Sequence, residues 1–169
     1  DYQGALADLN KAIEINPQDS TLYASYGNIK YLLGDHQGAI AAFNKAIEIN
    51  PQDARFYTNR AFVKNQIGKY QAAMIDVVEA IKFNPADEYA YNTRALIKNN
   101  LRDYQGAIAD YDKAIEINPN LVNIFTNPYK NRGVAKENIG DLDGACADWK
   151  QASNLGDEDT AEWLASKCK

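Results

Sequence analysis

The sequence has few of the residues that carry catalytic and metal chemistry. Its 169 residues include one histidine, one methionine and two cysteines, and no GxGxxG, HExxH or GxSxG segment occurs. Cys146 and Cys168 are too far apart for a CxxC motif. We expect them to be free thiols, although a disulfide between the last full repeat and the helix after it is conceivable. His36 is expected to be a surface turn residue. We therefore expect no enzymatic activity, no metal site and no cofactor.

The chain also lacks an excess of basic residues and a long apolar run. Its 18 lysines and arginines against 23 acidic residues give a net charge of −5 and a pI of about 4.9. This balance disfavours nucleic acid and anionic membranes as partners. No apolar run approaches the roughly 18 residues of a membrane span. The expected location is the cytoplasm, although a signal segment before Asp1 would not be seen in this sequence.

What the sequence does have is a repeat. KAIEINPQD occupies residues 11–19 and recurs at 45–53, and KAIEINPN follows at 113–120. Four prolines fall at steps of 34 residues: Pro17, Pro51, Pro85 and Pro119. A fixed period of this length indicates a stacked repeat.

Each period is predicted to form two antiparallel helices. The run 54–68 has helical spacing and ends at Gly68, a favourable helix terminator. The run 69–85 has an apolar face and ends before Pro85, which disfavours helix in the preceding residue. Because such short helices are marginal alone, stacking on neighbouring pairs must cover their apolar faces.

These units resemble the tetratricopeptide repeat, with its pattern of a large aromatic, a small residue four positions on, Ala-x-x-x-aromatic and a closing proline. The second unit matches at Tyr23, Gly27, Ala39, Phe43, Ala46 and Pro51. The sequences of the units are similar to those of bacterial members of the family, cyanobacterial ones especially. The resemblance implies an all-α, right-handed superhelical solenoid of antiparallel helix pairs with a C-terminal capping helix.

The period divides the chain into six segments. They are 1–19, the second helix of a partial repeat; the repeats 20–53, 54–87, 88–121 and 122–156; and a capping helix at 157–169. The repeat 122–156 carries four extra residues. Pro128 suits a first helical turn with Asn127 as its cap, so a helix is expected over about 128–139. Leu121, Val122, Ile124 and Phe125 then form an apolar cluster. It either packs under the neighbouring helices, which we favour, or stands at the rim of the groove and contacts the partner.

The family resemblance places a concave groove on the first helices, and asparagine dominates the positions that would face it. An amide matches the alternating donors and acceptors of an extended peptide, and asparagine is a poor helix former that nevertheless recurs here. The alternative is that asparagine is merely a polar residue tolerated on an exposed helix face. The candidate partner-binding residues are Asn28, Arg55, Asn59, Phe62, Asn65, Tyr89, Asn92, Asn99, Asn100, Lys130, Asn131 and Asn138.

Two basic rows also follow the repeat. One contains Arg60, Arg94 and Arg132, and the other contains Lys30, Lys64, Lys98 and Lys136. The rows could bind an acidic partner. We favour the interpretation that the aliphatic parts of these side chains pack between helices, while their charges pair with the recurring aspartates of the second helices.

The resemblance also allows a test for the carboxylate clamp that holds chaperone tails. Asn28 and Asn59 resemble the clamp asparagines, but Ala24, Tyr89 and Thr93 stand where basic residues are expected. Chaperone-tail binding is therefore disfavoured.

The resulting expectation is a non-catalytic protein-interaction module that binds an extended peptide or protein segment in its groove. A structural, self-associating scaffold and a docking arm of a larger multidomain protein are the alternatives. Residues 1–17 lack a preceding helix to cover Leu6, Leu9 and Ile13, so a homodimer through this helix is also expected.

Overall fold

The computed structural model describes residues 1–121 and 127–168, and these residues form ten α-helices and no β-strand. The helices are α1 (Tyr2–Ile15), α2 (Ser20–Leu32), α3 (His36–Ile49), α4 (Ala54–Gln66), α5 (Tyr70–Phe83), α6 (Glu88–Asn100), α7 (Tyr104–Ile117), α8 (Pro128–Asn138), α9 (Leu142–Asn154) and α10 (Asp159–Lys167). We call α2, α4, α6 and α8 the first helices. We call α1, α3, α5, α7 and α9 the second helices.

Aspartate begins most of these helices. The carboxylate of Asp53 accepts a hydrogen bond from the backbone N–H of Arg55 at the start of α4, and Asp35 accepts one from Gly38 at the start of α3. Such caps satisfy backbone donors that have no partner within the helix. At the start of α5 Lys69 stands in this position, and no side-chain cap hydrogen bond is made.

The helix α8 begins as the sequence predicts. Asn127 is its cap and accepts hydrogen bonds from the backbone N–H groups of Tyr129 and Lys130, and Pro128 is the first helical residue. Leu121, the first member of the apolar cluster, is buried. The prediction for Val122, Ile124 and Phe125 lies outside the described residues.

The chain divides into two compact units, residues 1–85 and residues 86–169. In the N-terminal unit α2 packs on α1 and α3, and α4 packs on α3 and α5. Its core contains Phe43, Phe56 and Val63 among small alanines. Leu6 on α1 is buried under these contacts, which corrects the expectation that it is uncovered, while Leu9 and Ile13 are half-buried.

In the C-terminal unit α6 packs on α7, α8 on α7 and α9, and α10 on α9. Ala95, Ala107 and Tyr111 form one buried cluster, and Trp149 is fully buried. The close approach of α8 and α9 requires Gly133, because a Cβ there would lie 2.6 Å from Cδ1 of Trp149. Size complementarity between a small and a large residue therefore sets the spacing of this helix pair.

Candidate functional site

Two predicted asparagines face each other across the first helices of the N-terminal unit. The helices α2 and α4 are in contact, and Nδ2 of Asn59 donates to Oδ1 of Asn28 over 3.4 Å. Asn28 is exposed and Asn59 is half-buried. One hydrogen bond uses one donor and one acceptor of the pair, and each amide has further capacity of both kinds. The pair can therefore present amide groups to a ligand.

Aromatic residues lie on the same two helices. The rings of Tyr31 and Phe62 meet edge to face with centroids 5.4 Å apart, and the ring of His36 lies 5.5 Å from that of Tyr31. All three residues are half-buried. His36 is thus the first residue of α3 packed against a tyrosine, and not simply a surface turn residue as the sequence suggests. Together with the asparagine pair, Tyr31 and Phe62 give the first helices an apolar surface beside an amide surface.

Arg55 is exposed at the start of α4, and its guanidinium binds the carboxylate of Asp53 at 2.6 and 2.9 Å. The hydrogen bond from the Arg55 side chain is the main reason that the pKa of Asp53 lies below its ordinary value. Both residues line an open cleft of about 340 Å³ with Phe83 and three amide residues. The amide residues are Asn50, Gln52 and Asn84.

The predicted residues of the C-terminal unit lie in different environments. Tyr89, Asn100 and Asn138 are exposed, and Asn99 and Asn131 are half-buried. The side-chain amide of Asn138 donates to the backbone oxygen of Val134 in its own helix.

Lys130 is engaged by the last helix and the residues before it. Its ammonium lies 3.5 Å from the carboxylate of Asp157 and also contacts Asp159. Burial alone would lower the pKa of Lys130, and the two carboxylates outweigh it, so that its pKa lies above the ordinary value.

Two predicted partner-binding residues are buried. Asn65 is 5% exposed and Asn92 is 2% exposed. A projection of helical spacing onto one face includes them, but each first helix is covered by its own second helix and by a neighbouring pair. We call the exposed and half-buried surface of the first helices the accessible strip. A ligand there would contact the exposed and half-buried candidates and not these two.

Apart from Lys30, which binds the exposed cap residue Asp35, the basic rows pair with buried aspartates of the second helices. This confirms the interpretation favoured from sequence for these six residues. The guanidinium of Arg60 binds both carboxylate oxygens of Asp76 at 2.8 and 2.7 Å, and Nζ of Lys64 lies 2.6 Å from the same carboxylate. The same arrangement recurs in the C-terminal unit. The equivalent groups are Arg94, Asp110 and Lys98, and Arg132, Asp148 and Lys136.

These ion pairs are structural because the carboxylates are 4–6% exposed. The hydrogen bond with Asp110 raises the pKa of Arg94 above its ordinary value. For Arg132 burial acts in the opposite direction, and the contacts with Asp148 and Asp112 outweigh it. A charge held in this way is not available to an acidic partner.

Cys146 and Cys168 form a disulfide, which corrects the expectation of free thiols. Their Cα atoms are 5.7 Å apart although the residues are separated by 22 positions. Cys146 lies in α9, and Cys168 follows the last residue of α10. The antiparallel return of α10 along α9 brings the two together.

Sequence reasoning missed two further groups of residues. One is the cleft beside Arg55, where Phe83 is 41% exposed. The sequence contained a signal for Phe83, because an aromatic residue stands there where three other second helices carry Ile15, Ile49 and Ile117. The other group is Trp163 and Lys167 on α10, which the repeat does not cover.

Within the part of the chain that the structure describes, no three histidine, cysteine or acidic side chains lie together as a metal site would need. Among the same residues no helix has both the length and the apolar composition to cross a bilayer.

Three family models match the chain. A TPR repeat model matches residues 27–68, and tetratricopeptide repeat models match residues 54–87 and 88–121. Together they cover residues 27–121, more than half of the 169-residue chain. A search of the curated proteins finds no match.

Solved structures with the same fold include a crystal structure of MamA, which is 25% identical with a TM-score of 0.74 over 96% of this chain and 92% of the other. YrrB, described as a TPR protein with an unusual peptide-binding site, is 19% identical with a TM-score of 0.69 over 97% and 83%. The first TPR domain of Spaghetti (RPAP3), bound to an HSP90 peptide, is 23% identical with a TM-score of 0.67 over 73% and 97%.

The helices and these neighbours agree on an all-α helical-repeat solenoid. The matched segments include the four residue types of the repeat signature on which the resemblance rests, the large aromatic, the small residue, the alanines and the closing proline. The chain belongs to the tetratricopeptide repeat family.

Proposed function

We propose that the chain is a non-catalytic protein-interaction module that binds an extended peptide or protein segment along the accessible strip of α2 and α4. The observation that carries this proposal is the pair Asn28 and Asn59, whose amides meet across α2 and α4 at 3.4 Å. We propose the same division into repeats that the 34-residue period gives, so that this pair joins the repeats 20–53 and 54–87.

The chemistry of the strip suits a main chain. An extended peptide presents N–H and C=O groups in alternation, and an amide side chain can accept from one and donate to the other. The rings of Tyr31 and Phe62 add apolar contact area beside the amides. Aromatic residues beside polar groups are common at the centres of protein interfaces.

The remaining cations on this side are few. Arg60 and Lys64 are held by Asp76, and Arg55 is held by Asp53 at the rim. With few unpaired positive charges on this strip, affinity would come mostly from main-chain hydrogen bonds and apolar contact.

The fold neighbours support the class of function and no more. YrrB is described as having a peptide-binding site, and the RPAP3 domain is bound to a peptide. Both show that this fold can hold a peptide. The residues that would do so in this chain are a proposal made from its own geometry.

The test is a peptide array probed with the purified chain, followed by titration of the best peptide in solution. Asn28→Ala with Asn59→Ala is expected to weaken binding by about fivefold or more, because two hydrogen-bonding side chains are lost at about 0.5–1.5 kcal/mol each. Asn10→Ala with Asn154→Ala is the matched control, since both residues are exposed on second helices. Equal loss of affinity in the two double variants would contradict the proposed site.

Self-association through α1 is a second proposal, and the exposure of Ile15 (85%) and Tyr2 (50%) favours it. Light scattering of the wild-type chain over a range of concentrations tests it directly. Ile15→Lys is expected to reduce any dimer without affecting the fold, because the side chain is almost fully exposed. A wild-type chain that stays monomeric at high concentration would exclude this proposal.

A further inference from the structure

The last helix, α10, is tied to the rest of the C-terminal unit by one covalent bond, an aromatic contact and ion pairs with exposed partners. The covalent bond is the disulfide between Cys146 of α9 and Cys168. At nine residues, α10 is shorter than the roughly 12–15 residues at which isolated helices become even marginally stable. Its docking therefore depends on what holds it.

An aromatic and cationic cluster lies between α9 and α10. The rings of Trp149 and Trp163 meet edge to face with centroids 5.4 Å apart. The ammonium of Lys167 lies 5.3 Å from the ring of Trp149 and 6.0 Å from that of Trp163, and 2.7 Å from the carboxylate of Glu137. This cluster joins α10 to both α8 and α9.

A second contact involves Lys130 of α8. Its ammonium contacts the carboxylates of Asp157 and Asp159 and lies 5.3 Å from the ring of Trp163. The side chain of Asp159 is 75% exposed and that of Lys167 is 42% exposed. Ion pairs with exposed partners contribute little and are screened by salt.

We propose that the Cys146–Cys168 disulfide is a redox latch that holds α10 on α8 and α9, and that reduction releases the helix. A dithiol reductant supplies two electrons and two protons by thiol–disulfide exchange. The sulfur–sulfur bond breaks, each cysteine becomes a thiol, and the reductant becomes a disulfide. The exposed ion pairs and the aromatic contacts then have to hold a nine-residue helix without covalent help.

Release of α10 changes the surface of the C-terminal unit. It frees the ammonium of Lys130 from Asp159, the first residue of α10, and uncovers the face of the Trp149 ring that Trp163 contacts. A cation beside an aromatic ring then becomes accessible at the start of α8. If the proposed peptide-binding function holds, the latch also controls access of a partner to Lys130, but the latch itself does not depend on that function.

The state of the latch follows the compartment. Disulfides persist in oxidising compartments and are reduced in the cytosol. The latched form is thus the form expected outside the cytosol, and the open form is the one expected within it.

Two measurements test the latch, and tryptophan emission is the first. The chain has two tryptophans, and both belong to the aromatic cluster, so the emission of the whole protein reports on the docking of α10. Addition of dithiothreitol is expected to shift the emission to longer wavelength as Trp163 enters water, and reoxidation is expected to reverse the shift. Cys146→Ser with Cys168→Ser is the control, with the emission of the reduced wild type and no response to dithiothreitol.

The second measurement is thiol counting and proteolysis. Alkylation of the unreduced, denatured protein is expected to label no cysteine, and alkylation after reduction is expected to label two. A glutamate-specific protease is expected to cut faster after Glu158 and Glu162 in the reduced protein, with little loss of far-ultraviolet circular dichroism. Two free thiols before reduction, an emission spectrum insensitive to reduction, or loss of helicity throughout the chain would each overturn the proposal.

Discussion

Tyr26 stands in α2 where the later first helices have an arginine, and Ala42 stands in α3 where the later second helices have an aspartate. The pair α2–α3 therefore has no buried ion pair of the kind found in α4–α5, where Arg60 and Lys64 share Asp76. Lys30 instead binds Asp35 in the connection at 3.0 Å and lies 5.6 Å from the ring of Tyr26. The same helix pair is thus built in two ways.

This difference shows that the buried ion pairs are not needed for a helix pair to form. Burying a carboxylate costs solvation, which two cations and their hydrogen bonds offset. In α2–α3 apolar packing of Ala42 and Phe43 suffices. The ion pairs fix the relative position of the two helices, because an arginine can donate two hydrogen bonds to one carboxylate in only one arrangement.

The largest effect is expected from Asp76→Ala. The substitution leaves Arg60 and Lys64, with side chains 16% and 17% exposed, without their carboxylate. Loss of one partner of a buried pair costs about 3–5 kcal/mol. Asp35→Ala in α2–α3 removes an exposed carboxylate that caps α3 and binds Lys30, and it is expected to cost less. Urea unfolding measures both, and equal costs would contradict the distinction between the two kinds of pair.

The next effect concerns helix spacing. Gly133→Ala places a Cβ 2.6 Å from Cδ1 of Trp149, whereas Gly27→Ala places one 3.1 Å from the ring of Phe43. Overpacking of this kind costs about 1–3 kcal/mol, and we expect Gly133→Ala to be the more costly of the two in thermal unfolding. Relief of the loss by Trp149→Phe in the Gly133→Ala background would identify the collision as its cause.

A smaller, stabilising effect is expected at Arg102. Its φ of 64° is in the left-handed region, and the equivalent connections have Gly34, Gly68 and Gly140 with φ between 75° and 88°. Arg102→Gly removes the backbone strain in the folded state but increases the conformational entropy of the unfolded chain. The net gain is expected to be about 0.5 kcal/mol, read as a higher urea midpoint, and a loss of stability would show that the arginine side chain makes a compensating contact.

The smallest effect is a pH dependence at the start of α3. The hydrogen bond from the backbone N–H of Gly38, followed by that from Lys30, lowers the pKa of Asp35 below its ordinary value. A lowered pKa in the folded state contributes stability above the unfolded pKa of about 3.9, and this is lost as pH falls through the folded pKa. The stability difference between the wild type and Asp35→Asn should shrink below about pH 4. A difference that stays constant with pH would mean that the charge of Asp35 does not contribute.

Most of the fold could be predicted because its signals are local and repeated. The proline period gives the helix pairs, and Asn127 with Pro128 gives the start of α8. The pairing of Arg60 with Asp76 was predictable as well, because both recur in register and long basic side chains on packed helices need a counter-charge. Each of these inferences needs only one repeat and its neighbour.

The remainder depends on how segments meet in space. The disulfide joins a repeat to a helix outside the period, so no spacing fixes the distance between Cys146 and Cys168. The burial of Asn65 and Asn92 depends on how much of each first helix its neighbours cover, which a projection of one helix does not contain. The left-handed backbone conformation of Arg102 could be predicted from the 34-residue period, because glycine occupies three equivalent positions.

In three of the helix pairs a large ring on the second helix lies against a small residue on the first helix. This match also disfavours misfolded states in which a second helix packs beside the wrong first helix. α1, α3 and α7 are close to copies of one another, and each could compete for the same place beside a first helix. Phe43 lies against Gly27, Tyr111 lies with Ala95, and Trp149 lies against Gly133. A helix displaced by one repeat would bring a ring against a side chain that leaves it no room, or leave a cavity opposite a glycine, at a cost of the order of 1–3 kcal/mol each. Side-chain volume therefore specifies which second helix packs against which first helix.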